Sequence, residues 1–226
     1  DAQRARAETY IRQEVGHHSQ HRRFNDLINA RYPSTVRLQR WMAACADWVW
    51  RRGPRFCAAY AAGGETISYG VARWTEQHLD GLLDRADPVP ATLFLWHLAE
   101  EVEHKNATYD IYELVDGSKP RYALAMTPRF LNLAVFTGHA TLVQLWSGRT
   151  LCKPICWIRL LWLAASMAFV LLPVMVVSAL PGHHPRQLTD PVLLPRWLAE
   201  YDPETETMPL WRTDPMTTRR NTPATP

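Results

Sequence analysis

Two histidine- and glutamate-rich stretches, about eighty residues apart, constrain this chain more than any other feature. The first reads Gln13-Glu14-Val15-Gly16-His17-His18-Ser19-Gln20-His21, and the second His97-Leu98-Ala99-Glu100-Glu101-Val102-Glu103-His104-Lys105. Each contains Glu-x-x-His, Glu14 with His17 and Glu101 with His104, and each adds a further histidine, His21 or His97. On an α-helix successive residues turn by about 100°, so i, i+3, i+4 and i+7 share a face. Glu14, His17 and His21 follow i, i+3, i+7, and His97, Glu101 and His104 follow i, i+4, i+7. Glu100 falls within the second arc and Glu103 well outside it. Two such helices packed antiparallel aim six ligand-type groups into one gap. A Glu-x-x-His from each of two helices is how some helical bundles hold a pair of metal ions.

The competing reading of either stretch alone is a solvated, charged helix face. Two observations weigh against it. Five of the nine histidines fall in these two windows, and the flanking residues are apolar: Tyr10, Ile11 and Val15 in one, Leu93, Phe94, Leu95, Leu98 and Val102 in the other. Burying such groups without an ion would cost several kcal/mol per unpaired charge. Mixed imidazole and carboxylate donors suit iron or manganese rather than the thiolate set of a structural zinc site.

The 226 residues, 47% hydrophobic, suffice for one substantial helical core. A net charge of +3 with scattered arginines gives no basic tract, so no nucleic-acid partner is expected. Cys45, Cys57, Cys152 and Cys156 lack metal-finger spacing and read as free thiols, which with no recognisable signal peptide suits a cytoplasmic setting.

Apolar periodicity, proline and glycine predict helices over about 3–30, 35–51, 66–85, 88–115, 129–146 and 155–180. A short piece is expected before a break at Gly63-Gly64. Residues 155–180 are almost wholly apolar and long enough to cross a bilayer. Arg159 and the lack of a second span favour a buried or membrane-resting helix. A last short helix is expected over 192–201. The reading is thus all-α, with residues 1–202 as a single helical di-metal domain and 203–226 as a Pro/Thr-rich extended tail.

Two metals need ligands from further helices. Glu76, mid-helix among Val71, Trp74, Leu79, Leu82 and Leu83, is the leading candidate. Glu65 reads as a first-turn acid of its helix. His78 and His139 are weaker candidates, Asp110 is a candidate acceptor for a ligand imidazole, and His183-His184 reads as an exposed loop. The expected metal set is therefore Glu14, His17, His21, Glu76, His97, Glu101 and His104, with Glu100 as a catalytic carboxylate beside it.

At these residues the chain resembles the ferritin-like proteins known as predicted metal-dependent hydrolases. The resemblance is carried by Gln13 to His21 with Asn25 following, by a central glutamate in the third helix at Glu76, and by His97 to Lys105. The Tyr109–Tyr112 segment, the apolar helices and Pro195 to Tyr201 match as well, so that it covers most of residues 8–202. In the family the central acid is followed directly by histidine, whereas this chain has Glu76-Gln77-His78. The resemblance implies a ferritin-like bundle with additional long apolar C-terminal helices. Some members resemble non-haem di-iron monooxygenases of natural-product pathways, among them diterpenoid hydroxylation in platensimycin and platencin biosynthesis.

The resulting expectation is a non-haem di-iron monooxygenase that hydroxylates an unactivated carbon of a hydrophobic, terpenoid-type intermediate. It would use two Fe ions (manganese being the alternative), O2 and an external electron donor. A membrane-surface contact and a homodimer are further expectations. The alternative is a two-metal hydrolase of an ester or phosphoester.

Overall fold

Proline and capping side chains set where the helices begin. The computed structural model describes residues 2–192, 199–202, 205 and 207–211, and among these it is helical with no strand. Helix α1 (Ala2–Arg31) passes through Tyr32-Pro33-Ser34 into α2 (Thr35–Trp50). Gly53, at a φ of 85° that glycine adopts at little cost, turns the chain into α3 (Pro54–Leu83). Helix α4 (Pro88–Val115) is capped by Asp87, whose carboxylate accepts the Val89 N–H at 2.9 Å. Ser118 caps α5 (Lys119–Ser147), and α6 (Pro154–Ala179) follows the turn at 148–153. Proline stands in the first turn of α3, α4, α5 and α6, where its missing N–H removes no helical hydrogen bond. A 3-10 turn, Pro185–Gln187, closes the helical part.

Three elements differ from the sequence reading. Gly63-Gly64 is not a break, because α3 runs through it without interruption. A Cβ on Gly63 would stand 2.5 Å from Met126 Cγ, and one on Gly64 2.9 Å from Arg129 Nε. These glycines serve the close approach of α3 and α5. Helix α5 begins ten residues earlier than expected, at Lys119 behind its Ser118 cap, and carries Pro128 inside it. Helix α6 is not a core helix: of its residues only Leu171, Val174 and Ser178 are buried. The tail expected over 203–226 and the short helix before it lie mostly outside the described residues.

Helix α3 is central, packed along α4, α5 and α6, while α1 packs along α4 and α2 braces α3 and α5. Two apolar clusters form along the α3–α4 pair. One holds Ala72, Leu79, Leu83, Leu95, Leu98 and Val102. The other holds Ala59, Ala62, Tyr109, Tyr112, Tyr122 and Met126, α5 closing it. Between them, at Glu65 on α3 and at Glu100, Glu101, His104 and Lys105 on α4, the same two helices bury charge. The chain after α6 is tied over this region. The wholly buried Lys105 ammonium donates to Asp190 Oδ1 at 2.5 Å and Val102 O at 2.9 Å, and the Tyr69 hydroxyl donates to Thr189 O at 2.6 Å.

Candidate metal centre

Helix α1 lies antiparallel to α4, so residues that rise along one meet residues that fall along the other. Gln13 faces His104, His17 faces Glu100, and His21 faces His97. This brings the two Glu-x-x-His motifs together. One ligand atom from each of Glu14, His17, Glu101 and His104 lies within 4.8 Å of the others, three of the four residues being buried and Glu14 partly so.

Second hydrogen bonds decide which nitrogen each imidazole presents. His17 Nε2 is 2.6 Å from Glu100 Oε2. His104 Nε2 is 3.1 Å from Gln13 Oε1, to which it can only donate. Both rings therefore turn Nδ1 inward, at 3.7 Å and 3.0 Å from Glu14 Oε1 and 3.6 Å and 3.7 Å from Glu101 Oε1. Glu14 Oε1, His17 Nδ1 and His104 Nδ1 are all buried without a hydrogen-bond partner. Such atoms are rare in folded proteins, and an ion is one of the few explanations for them. Three converging on one point, with Glu101 closing the group, fit a metal cation. Carboxylates and imidazoles in this proportion suit a first-row metal such as iron or manganese.

The electrostatics agree. Burial alone would raise the Glu14 carboxyl, but the adjoining His104 and His17 hold it down to about 2. Burial alone would lower His17, but Glu100, Glu14 and Glu101 lift it to about 9, and His104 is lifted to about 9 by Glu101 and Glu14 against the same burial. Glu101 is held well below the usual range despite burial, by Glu65, His104 and His97. Without an ion the pocket therefore carries two carboxylates and two imidazolium ions. A divalent cation held by these four residues would take the place of the two protons with no change in net charge.

Around these four stands a further layer. His97 Nε2 is 3.0 Å from Glu101 Oε1, and His97 Nδ1 is 2.8 Å from His21 Nε2, a chain that requires a neutral imidazole. His21 is lowered to about 4, by burial and then by the positive charge of His97 and His17. Glu65, 8% exposed, enters from α3. Burial first, then the charge of Glu101, raises its carboxyl well above the usual range, the opposite direction to Glu101. The Tyr10 hydroxyl donates to Glu65 Oε1 at 3.3 Å, and its ring meets His104 edge-on at 4.9 Å.

Sequence reasoning thus named the four converging residues together with His21, His97 and Glu100, read Glu65 as a first-turn acid, and gave no role of their own to Tyr10 and Gln13. Glu76 is not in this group. It lies eleven residues beyond Glu65 on the same stripe of α3, about 16 Å along the axis. His78 stacks on Trp74 at 4.6 Å and turns toward Trp162 of α6. His139 is exposed. Asp110 accepts from His184 Nε2 and Arg186, each at 2.9 Å, rather than from a ligand imidazole, and His184 is correspondingly half-buried, not exposed. With Glu113, Asp110 and His184 make a second acid–histidine group.

A family model described as predicted metal-dependent hydrolase matches residues 1–189. No curated protein and no solved structure matches the chain.

Proposed function

The chain belongs to the family of predicted metal-dependent hydrolases, and on that premise we propose that it hydrolyses an ester or phosphoester at a centre built on Glu14, His17, Glu101 and His104. The observation that carries the proposal is the set of buried atoms Glu14 Oε1, His17 Nδ1 and His104 Nδ1, none of which makes a hydrogen bond and all of which gather about one point with Glu101. A divalent metal held there supplies a Lewis acid and a bound water of lowered pKa. The protein residues do the rest. Glu100 and Gln13 fix the ring orientations of His17 and His104. Glu65, its carboxyl raised by burial and by Glu101 and met by the Tyr10 hydroxyl, would be the group that gives a proton to the leaving oxygen as its bond to the acyl or phosphoryl group breaks. Apolar clusters flank the centre on either side along α3 and α4.

A second reading, O2-dependent hydroxylation of a hydrophobic substrate at two Fe ions, is favoured by a specific observation. A carboxyl group from a third helix, Glu65, stands beside two Glu-x-x-His motifs, which supplies three of the four helical contributions to a di-iron bundle site. In that reading Glu14, His17, Glu101 and His104, with Glu65, His97 and His21 beside them, would hold the ions, which would supply the redox chemistry with O2. An external donor would supply electrons. The hydrolytic reading takes precedence because the family description names that reaction type.

One experiment separates them. Protein loaded with iron(II) or manganese(II) is given a panel of nitrophenyl esters and phosphoesters in H2(18)O, with and without air. Label in the acid product at an undiminished anaerobic rate supports hydrolysis. No turnover of any member, together with rapid oxidation of the iron(II) protein by O2, would reverse the order of the two readings.

A further inference from the structure

We propose that the outer faces of α5 and α6 dock on an anionic lipid bilayer, with both helices lying parallel to the membrane plane. A surface helix ordinarily turns its polar face outward. On α6 the outward stripe is apolar from end to end: Ile155, Ile158, Leu161, Phe169, Leu172 and Val176 recur every turn or two and are each 47–82% exposed. On α5, Leu131, Val135, Leu142 and Trp146 form a second exposed stripe. Scattered exposed leucines need no explanation, but two adjoining stripes several turns long do.

Charge identifies the occupant. From Gly117 to Thr189 there is not one aspartate or glutamate, so all 22 acidic residues lie elsewhere in the chain. Arg149, Lys153 and Arg159 are exposed around the α5–α6 turn, and Trp146, Trp157 and Trp162 stand at the same end. Basic residues and tryptophans beside an apolar stripe are the pattern of helices that rest at the headgroup level of anionic membranes. A second copy of the chain would bring the same acid-free face and leave the basic turn unmatched.

Packing settles the orientation. Helix α6 runs antiparallel along α3: Leu171 lies against Gly70, Trp74 Nε1 donates to Ser166 Oγ at 3.1 Å, and Arg159 shares a cavity with Asp84 and Arg85. To cross a bilayer α6 would have to carry α3 with it, drawing Arg73, Glu76 and His78 into hydrocarbon. Lying in plane buries only the stripes. The proposal is independent of which reaction the metal centre performs.

Flotation of the full chain with vesicles tests it. Binding is expected to phosphatidylcholine vesicles containing about one-third phosphatidylserine, and weakly to phosphatidylcholine alone. The double variant Leu161→Glu/Phe169→Glu should lose at least tenfold in vesicle affinity with unchanged helical circular dichroism. Arg149→Gln/Lys153→Gln should lose roughly fivefold per residue on the anionic vesicles only. Leu27→Glu, on exposed α1 surface, should bind like the wild type. Should the glutamate variants fail to fold, quenching of wild-type tryptophan fluorescence by brominated anionic lipid reads the same contact. Three results would overturn the proposal: no flotation and no quenching, retention of the wild type in membranes after alkaline carbonate, or a dimer that Leu161→Glu/Phe169→Glu converts to a monomer without any vesicle binding.

Discussion

The α1–α3–α4 wall and the α5–α6 hairpin both invert the usual arrangement of a globular protein, in opposite senses. The wall buries Glu65, Glu100, Glu101, His17 and His104. The hairpin presents leucine, isoleucine, phenylalanine and tryptophan to the outside. Either inversion costs free energy in an isolated chain, the first through desolvated charge and the second through apolar surface left in water. A cation would complete the first, and three buried atoms without a hydrogen bond point to it. The second is completed, on our proposal, by a lipid surface. The same physical test, a group whose surroundings are wrong unless something is added, thus finds two sites of different chemistry.

The sharpest way to break the comparison is to remove the group that organises the wall. Glu101 contacts both converging imidazoles and His97, whereas Glu103, two residues away, is exposed. Glu101→Ala should leave essentially no bound metal after loading and desalting, measured by elemental analysis. Glu103→Ala should bind as the wild type does. Equal losses in the two would mean that metal is held at the surface, and the wall would lose its explanation.

A change of pH acts on the wall next most strongly. His17 and His104 hold protons up to about pH 9, and a metal at Nδ1 must displace them. Manganese(II) affinity should fall as pH drops below 9, by up to about a hundredfold per unit where both protons are released. Stability of the metal-free protein moves the other way. Both folded values lie above the ordinary 6.5, so the stabilisation from these pairs is complete below that pH and is lost as pH rises toward 9. Titration calorimetry in buffers of different ionisation heat, with melting curves of metal-free and loaded protein, reads both signs. A metal affinity flat between pH 6.5 and 9 would contradict the Nδ1 assignment.

The two motifs were legible in the sequence because Glu-x-x-His is local: helical periodicity alone brings Glu14, His17 and His21, or His97, Glu101 and His104, onto one face. The third-helix acid was not, because its position depends on where α3 begins. Reading Gly63-Gly64 as a break made Glu65 a first-turn residue and left Glu76 as the mid-helix acid. Yet a register signal was available. Antiparallel helices joined by a short turn pair residues roughly equidistant from it. Glu101 and His104 lie 13 and 16 residues past the start of α4 at Pro88, Glu65 lies 18 before the end of α3 at Leu83, and Glu76 only seven. Glu65→Ala should accordingly weaken metal binding ten- to a hundredfold, and Glu76→Ala should leave it within twofold, as measured by competition with a chelator. The reverse ranking would restore Glu76 to the site.

The hairpin's character was legible only in part, since an apolar run reads alike whether a helix is buried, spanning or resting on a surface. Only packing against α3 shows that one side of α6 is taken and the other free.

The smallest expected effects lie in the residues that aim the imidazoles. Gln13 accepts from His104 Nε2 and Glu100 faces His17 Nε2, and neither supplies an atom to the converging group. Gln13→Leu removes the acceptor that fixes which His104 nitrogen carries the proton, and Glu100→Gln removes the charge that helps raise His17. Each should cost about tenfold in metal affinity, the range for outer hydrogen-bond partners of metal-bound histidine. They should differ in pH response. With Glu100→Gln the His17 proton is lost at lower pH, so part of the affinity deficit should be recovered below pH 9, where wild-type His17 is still protonated. Gln13→Leu removes no charge and should shift the whole curve down without moving it along the pH axis. Identical pH profiles for the two variants would mean that Glu100 acts by shape alone, and the charge-neutral exchange of two protons for one divalent cation would need another carrier for the second proton.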